Sequence, residues 1–342
     1  RDLHSFPTRR SSDLFVTYVA ALPEQTDANG YIHTTFNQDV TATGRLSSTN
    51  PNLQNIPIRT ELGRQIRDAF VPAPGNVFVN ADYSQFELRL AAVMAGEKQM
   101  IEDFNADVDI HAKTAAEVYN VPINEVTPAQ RRRAKVVNFG VLYGMSQHGL
   151  AAAANMSYGE AQHFIDEYYR IRPHIKEFME QTIRQAHEDG FVQTLFGRRR
   201  PTPDVRSNNF AVRSAAERAA ANMPIQGTEA DLMKLAMLAV EKRLTIMTSP
   251  DLLPSETGKF EKNEFALPER QVFSGSKSGL VHKNISLGHQ ILQIHDSIMV
   301  ECPRQNAEIV SKMLVETMEN IYPQLGIKLK VDVKIGNNWG EV

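Results

Sequence analysis

The dipeptide His295-Asp296 lies between two short apolar runs, and this pattern restricts the possible fold more than any other feature of the chain. The segment 290–301 has the length and composition of two buried strands, so the dipeptide is predicted to form the tip of a β-hairpin. Aspartate is also common at such tips because of turn geometry alone. The pattern by itself therefore predicts a sheet and leaves the role of Asp296 open.

A second aspartate follows another predicted strand. Residues 76–81 form a short apolar strand that is predicted to end at Asp82, and the segment 327–335 alternates apolar and charged residues, as a further strand would. We expect the hairpin and the strand at 327–335 to belong to one antiparallel sheet. A helix predicted at 87–96 makes an N-cap the ordinary interpretation of Asp82. If Asp82 instead meets Asp296, the pair can bridge two magnesium ions about 4 Å apart, which stabilises the attacking and leaving oxygens of phosphoryl transfer.

A predicted helix at 128–143 combines cations and aromatic rings on one face. Thr127 and Gln130 match a capping box at its start. Four residues recur at intervals of four along this face: Arg131, Lys135, Phe139 and Tyr143. A solvated face accounts for the cations and a buried face for the rings. A nucleoside triphosphate accounts for both, with its phosphates against the cations and its base near the rings.

The remaining segments are predicted to include one long helix and several irregular regions. The helix spans about 208–244, with a break near Pro224. Residues 34–57 are rich in Thr, Ser, Asn, Gln and Pro, which indicates a loop that contacts a polar partner. Residues 245–286 lack periodicity and are predicted to be an inserted surface loop. Residues 1–14 lack the apolar core of a signal peptide, and we interpret them as unrelated to the fold.

Composition limits the class and location of the protein. The 342 residues are 42% hydrophobic, enough for two or three packed subdomains, but no run approaches the roughly 20 apolar residues of a membrane span. The single cysteine, Cys302, cannot form an internal disulfide or a cysteine-based zinc site, so a reducing compartment such as the cytoplasm is expected. With a net charge of −3, any contact with nucleic acid must depend on local positive charge.

Five segments of the chain resemble motifs of family A DNA polymerases, in the order of that family. Three of them contain the residues described above: Asp82-Tyr83-Ser84-Gln85 with Glu87-Leu88-Arg89, the helix with Arg131, Lys135, Phe139-Gly140 and Tyr143-Gly144, and His295-Asp296. The other two contain Thr43-Gly44-Arg45 with Pro51-Asn52-Leu53-Gln54-Asn55, and Glu217-Arg218 with Pro224-Ile225-Gln226-Gly227-Thr228. The likeness is to bacterial polymerase I and covers about 15–342.

The resemblance implies an α+β fold shaped like a right hand. It implies an antiparallel palm sheet, a mainly helical fingers subdomain, and a thumb that is largely missing. The implied divisions are 15–60 for a connection toward the thumb with a primer-template contact loop, 61–102 for the first part of the palm, 103–215 for the fingers, and 216–342 for the second part of the palm. The inserted loop at 245–286 has no counterpart in the common bacterial pattern.

The resemblance also implies an enzyme, a DNA-directed DNA polymerase. It would add deoxynucleoside triphosphates to a primer 3′-hydroxyl with two Mg²⁺ ions, in DNA replication or repair. The implied metal ligands are Asp82, the backbone of Tyr83, and Asp296, and Lys135 is implied to act as a general acid toward pyrophosphate. The implied partners are primer-template DNA and deoxynucleoside triphosphates, without a membrane. A monomer in the cytoplasm of a bacterial or phage-infected cell is expected.

The resemblance assigns two further sets of contacts. Residues implied to line the incoming nucleotide are Gln85, Glu87, His111, Arg131, Lys135, Phe139 and Tyr143. Residues implied to contact primer and template are Arg45, Asn52, Gln54, Asn55, Arg218, Asn222, Gln226 and His295. Without the resemblance, His111 would be interpreted as a surface histidine, and Asn52 and Asn55 as ordinary turn residues.

Besides the inserted loop, two residues depart from the family pattern, and alternative functions stay open. Ser297 stands where the family usually has a glutamate, and Phe86 replaces a usual aliphatic residue beside the nucleotide pocket. Ser297 and the missing thumb motivate one alternative, a catalytically impaired DNA-binding module. The chain retains both aspartates and both helix cations, which argues against this alternative. A relative of single-subunit RNA polymerases is the second alternative. Glu87 argues against it, because this side chain would crowd a ribose 2′-hydroxyl.

Overall fold

The computed structural model describes residues 15–58, 60–246 and 287–342. Its α-helices in these ranges are α1 (Glu61–Asp68), α2 (Phe86–Ala95), α3 (Lys98–Asn105), α4 (Ile110–Tyr119), α5 (Pro128–Leu142), α6 (Gln147–Ala154), α7 (Tyr158–Ile171), α8 (Pro173–Asp189), α9 (Phe210–Ile246) and α10 (Ala307–Glu319). Its strands are β1 (Thr35–Asn37), β2 (Ser47–Thr49), β3 (Asn76–Tyr83), β4 (Phe191–Gln193), β5 (Arg199–Pro201), β6 (His289–Ile294), β7 (Ser297–Pro303) and β8 (Val331–Gly336). Among these helices, none is long and apolar enough to cross a bilayer.

The hairpin strands, β3 and β8 form one antiparallel sheet in the order β6-β7-β3-β8, which confirms the predicted sheet. β3 is longer than predicted, because it continues through Asp82 to Tyr83. β8 is shorter and begins at Val331. Lys328 lies inside the predicted strand, but its carbonyl accepts a hydrogen bond of 2.5 Å from the Arg89 guanidinium. This segment is therefore bound to α2 and does not pair with the sheet.

Alternation along β3 decides which side of the sheet carries Asp82. Val77, Val79 and Ala81 are buried in the main hydrophobic core, which also contains residues of α9 and α10. Phe78 belongs to a second cluster on the opposite side, around Trp339. Because successive side chains of a strand point to opposite faces, Asp82 lies on the side of Phe78, away from the main core.

The longest helix, α9, continues through Pro224, so the predicted break is wrong. Proline removes one backbone N–H and normally weakens a helix interior. Here both neighbours, Met223 and Ile225, are fully buried, and the Thr228 hydroxyl donates to the Pro224 carbonyl at 2.6 Å. Tertiary packing therefore outweighs the local preference. α9 also runs to Ile246, two residues into the predicted inserted loop, and the rest of that loop lies outside the described residues.

The start of α5 is as predicted. The Thr127 hydroxyl accepts from the Gln130 N–H at 3.2 Å, and the Gln130 side chain accepts from the Thr127 N–H at 2.8 Å, which completes the capping box. The helix ends at Leu142, so Tyr143 occupies the C-cap position. The face that carries the two cations and Phe139 is therefore helical throughout.

The start of α2 excludes the ordinary interpretation of Asp82. α2 begins at Phe86, and the residue before it, Gln85, lies in the left-handed region with φ of 53°. No side chain caps this end. The interpretation of Asp82 as a helix N-cap is therefore wrong, and the carboxylate is available for another role.

Candidate active site

The two aspartates predicted at strand ends meet at one edge of the sheet. β3 and β7 pair so that Asp82 stands opposite Ser297, the residue after Asp296. The carboxyl groups of Asp82 and Asp296 lie within hydrogen-bond contact. Burial, followed by the charge of Asp82, raises the pKa of Asp296 to about 7. Loss of solvent also raises the pKa of Asp82, although this side chain stays accessible from one side, and the charge of Asp332 adds to the effect.

Two acids held in contact form a donor set that suits a hard divalent cation, because a cation between them replaces repulsion with attraction. Within residues 15–58, 60–246 and 287–342, no three His, Cys, Asp or Glu side chains converge in a metal-binding arrangement. The place next to Asp296 is taken by Ser297, which is buried and whose hydroxyl donates to the Ile294 carbonyl at 3.1 Å. Glu301 does not substitute, since it accepts from the Ala73 N–H at 2.8 Å, further along the sheet.

A third carboxylate, Asp332, was missed by the sequence reasoning. It lies on β8 directly opposite Asp82, so the two side chains project from the same face of the sheet. The alternating pattern of 327–335 located the strand but gave no reason to distinguish Asp332 from Lys334 as surface charges. The pairing register is what brings Asp332 beside Asp82.

The hairpin tip is held by side chains as well as by the ladder. His295 has φ of 53°, and its carbonyl accepts from the Gln293 side chain at 2.7 Å. The Gln54 side chain, predicted to contact DNA, is buried and donates to the Gln293 carbonyl at 3.0 Å. Gln54 therefore supports the hairpin, whereas the exposed side chain of His295 faces solvent.

The cationic half of the α5 face is partly open. Lys135 is exposed and makes no ion pair with any described residue. Arg131 pairs with Asp109, with its Nε 2.6 Å from the carboxylate. Asp109 itself caps α4 by accepting from the His111 and Ala112 N–H groups, at 3.0 and 3.1 Å. The structure thus offers one unpaired ammonium and one guanidinium held at the edge of the same face.

The sequence context of His111 alone suggests a surface histidine, but the structure buries this residue. It is 1% exposed, its Nδ1 lies 2.9 Å from the Asn138 side-chain nitrogen, and its ring centroid is 5.8 Å from that of Phe139. Burial lowers the pKa of His111 to about 4, so the ring is neutral near pH 7. Its Nε2 is buried without a hydrogen-bond partner in the described part of the chain. His111 therefore packs against Phe139 on its buried side.

The Glu87 side chain connects α2 to Tyr143, at the end of α5, by a hydrogen bond. Its carboxylate accepts a hydrogen bond from the Tyr143 hydroxyl and, at 2.7 Å, from Nη2 of Arg45. The same Arg45 nitrogen donates to both carboxylate oxygens of Glu229, at 2.9 and 2.8 Å. Glu229 is 1% exposed, and the sequence reasoning missed it. The available signal was an acidic residue directly after the matched segment ending at Thr228, inside an apolar helix.

The predicted DNA contacts on α9 share one face of that helix at intervals of four residues. Arg218 is exposed, Gln226 is half-buried, and Asn222 is buried with its side-chain nitrogen unpartnered among the described residues. Gly144, with φ of 61°, lies under Arg218, and a Cβ there would be 2.9 Å from the Arg218 Cγ. Arg218 is therefore packed over the end of α5, next to Tyr143.

The remaining sequence candidates differ in their exposure to solvent. Asn52 and Asn55 are exposed on the loop before α1. Gln85 is half-buried at the start of α2. Phe86 is 2% exposed and stacks on Tyr83 with ring centroids 4.1 Å apart, so it faces the core rather than the site.

Known proteins resemble this chain over nearly its whole length. The sequence model of DNA polymerase family A matches residues 6–341. The chain is 42% identical over 332 residues to a thermostable DNA polymerase I of Thermus aquaticus, which covers 97% of the chain and 35% of that protein. It is also 42% identical over 334 residues to DNA polymerase I of Pseudomonas aeruginosa, covering 97% of the chain and 32% of that protein. The chain thus spans about a third of the length of these relatives.

A solved structure resembles the fold. The POL domain of Pol1 from M. smegmatis, in complex with DNA primer-template and dNTP, superimposes with a TM-score of 0.80 at 38% identity. The match covers 96% of this chain and 52% of that one, and it includes both the helices and the antiparallel sheet. Sequence and structure agree, and the chain belongs to DNA polymerase family A.

Proposed function

We propose that this chain catalyses template-directed addition of deoxynucleoside triphosphates to a primer 3′-hydroxyl. The observation that carries the proposal is the contact between the carboxyl groups of Asp82 and Asp296 at one sheet edge. A DNA-binding module has no need to hold two acids against each other. The contact between Glu87 and Tyr143 adds support, because it links α2, beside these acids, to the cationic and aromatic face of α5.

The parts of a right-handed polymerase are proposed as follows. The sheet with α2, α9 and α10 corresponds to the palm, with 61–102 and 216–342 as its two parts. The helices within 103–215 correspond to the fingers, and 15–60 leads toward a thumb. Support comes from the similarity to a polymerase domain and from the continuous core that α9 shares with the sheet.

Asp82 and Asp296, with the backbone carbonyl of Tyr83, are the residues that would hold Mg²⁺. When bound, two such ions lower the pKa of the primer hydroxyl and neutralise charge on the triphosphate and the departing pyrophosphate. The sheet keeps both carboxylates at a fixed separation. Ser297 contributes no charge, so Asp332 on the neighbouring strand is the further acid whose negative potential reaches the site.

The face of α5 is proposed to receive the nucleotide. Lys135 and Arg131 would contact the phosphates, and Lys135 is placed as the donor of a proton to pyrophosphate. Phe139, supported by neutral His111, would contact the sugar and base together with Tyr143. Glu87, held by the Tyr143 hydroxyl, would occupy the space that a ribose 2′-hydroxyl requires.

Primer and template are proposed to lie along the α9 face and the two loops that flank it. Polar side chains that check the shape of a base pair without preferring a sequence would read the minor groove. They are Arg45, Asn52, Asn55, Arg218, Asn222, Gln226 and His295, and Gln54 would act through the hairpin that it supports. The predictions of a monomer, of a cytoplasmic location and of a role in replication or repair accompany this proposal.

The proposal is tested by primer extension with magnesium, comparing deoxy- and ribonucleotides. We expect extension with deoxynucleotides and none by Asp82→Ala or Asp296→Ala, while both variants still bind primer-template DNA. Ser297→Ala serves as the matched variant in the same hairpin and should keep most activity. Binding without extension by the unmodified chain would establish the DNA-binding alternative, and equal use of ribonucleotides would establish the RNA polymerase alternative.

A further inference from the structure

A buried glutamate outside the predicted site holds one of its residues. Glu229 lies on α9 at 1% exposure, and both of its carboxylate oxygens accept from Nη2 of Arg45, at 2.9 and 2.8 Å. Arg45 is its sole hydrogen-bond partner among the described side chains. A buried carboxylate is retained only when it is paired, and here the pairing holds one end of the guanidinium against α9.

Arg45 is held through a single nitrogen. Nη2 donates to Glu229 and also to Glu87, at 2.7 Å. Nε is buried and has no acceptor in the described part of the chain, and no hydrogen bond of Nη1 to a described residue occurs. The side chain lines a small pocket with Lys234, Gln293 and His295. The Nη1 end of the guanidinium is therefore left to donate to an acceptor outside the described residues.

The loop around Arg45 is anchored independently of Glu229. The Lys234 ammonium donates to the Gly44 carbonyl at 2.6 Å, and the Thr41 hydroxyl donates to the Arg45 carbonyl at 2.5 Å. α9 also approaches the loop closely at Gly227, where a Cβ would lie 3.1 Å from the Thr43 carbonyl oxygen. Loss of the Glu229 carboxylate should consequently loosen the guanidinium, which Glu87 still binds, while the loop backbone stays in place.

Glu87 binds Arg45 through one oxygen and the Tyr143 hydroxyl through the other, so two of the three hydrogen bonds from Arg45 Nη2 go to Glu229. We propose that Glu229 is a positioning residue that holds Arg45 with its remaining N–H groups directed at the minor-groove acceptors of the primer-terminal base pair. Those acceptors occupy the same positions in all matched pairs and are displaced in mismatched ones. Glu229 therefore favours extension from matched primer ends. This inference rests on the proposed polymerase function.

The test compares matched and mismatched primer ends in the 342-residue chain with Glu229→Gln. This substitution keeps the shape and replaces one acceptor oxygen for Arg45 with an amide donor. Single-turnover extension with magnesium should fall about tenfold from matched ends, the scale of one charge-assisted hydrogen bond, and by less than about twofold from mismatched ends. Equilibrium binding of both primer ends without nucleotide should show the same loss of preference. Glu229→Ala, checked for folding by its melting temperature, should repeat the result.

Matched controls separate positioning from structure. Glu316→Gln removes another glutamate paired with an arginine of α9, Arg243, at 2.8 Å, and should leave both primer ends unaffected. In an Arg45→Ala background, Glu229→Gln should have no further effect on the ratio of the two ends.

Each contrary outcome has a distinct meaning. Three outcomes would overturn the inference and leave the proposed function intact. They are an unchanged ratio of matched to mismatched extension in Glu229→Gln, an equal loss from both primer ends, and a further loss in the Arg45→Ala background. Absence of extension by the unmodified chain would overturn the proposed function instead. The binding measurement would then decide the inference, since a matched-end preference that survives Glu229→Gln refutes it.

Discussion

Metal affinity should depend on pH through the two aspartates in contact. The pKa of Asp296 is raised to about 7 by burial and by Asp82, and a cation must displace the bound proton. With a pKa near 7, about nine-tenths of the carboxyl groups are ionised at pH 8 and about one-tenth at pH 6. Mn²⁺ affinity should therefore fall about tenfold between pH 8 and pH 6.

Titration calorimetry with Mn²⁺ at pH 6, 7 and 8 measures this dependence. Asp296→Asn should bind Mn²⁺ more weakly at pH 8 and lose the dependence, because the titrating group is gone. Asp82→Asn should also bind more weakly, but its midpoint should move to lower pH, since the charge that raises the pKa of Asp296 has been removed. Glu316→Gln is the control and should match the unmodified chain. An affinity that is constant from pH 6 to 8 would refute the assignment of the two acids to a shared cation site.

The same contact should affect stability in the absence of metal. Because folding raises the pKa of Asp296 above the value of about 3.9 in an unfolded chain, the folded protein binds more protons between roughly pH 4 and 7. The contribution of Asp296 to stability is therefore present at low pH and is lost as the pH rises through 7. Three pKa units correspond to about 4 kcal/mol, and sharing with Asp82 and solvent reduces this to about 2 kcal/mol. In urea denaturation with a chelator, Asp296→Asn should be more stable than the unmodified chain at pH 8 and not at pH 4.

Three substitutions test the nucleotide site. Lys135→Ala should lower the single-turnover rate about 100-fold, because its charge would stabilise negative charge that develops on the phosphates; a loss confined to nucleotide affinity would contradict this role. Phe139→Tyr should improve the use of dideoxynucleotides, measured by competition with deoxynucleotides, and an unchanged ratio would remove Phe139 from the sugar. Glu87→Ala should admit ribonucleotides and slow normal extension, since it opens space at the 2′ position and also frees Tyr143 and Arg45; unchanged discrimination would exclude Glu87 from the pocket.

The sequence predicted the local elements of the site well where a pattern has a direct physical cause. The capping box at Thr127 sets the start of α5, and the apolar runs on either side of His295-Asp296 set the hairpin. The break predicted at Pro224 was wrong because the prediction relied on the local preference of proline. In the fold, the helix is buried around Pro224, and this packing keeps it continuous. Without the resemblance, local sequence would also have suggested a surface position for His111, which the fold buries.

The missed residues depend on contacts between distant parts of the chain. Asp332 becomes relevant only through its register opposite Asp82, and a shift of one residue would turn it to the other face of the sheet. Glu229 becomes relevant only because the loop with Arg45 lies against α9, a contact across 184 residues of sequence. Periodicity and motif spacing contain no information on either contact.

A ternary complex tests the central claim most directly. The chain would be crystallised with a primer-template, a dideoxy-terminated primer and the next deoxynucleotide in the presence of Mn²⁺, and anomalous scattering would locate the metal. We predict manganese bound by the carboxylates of Asp82 and Asp296, with the triphosphate against Arg131 and Lys135 on α5. Manganese held by other residues, or a triphosphate bound away from α5, would contradict the account.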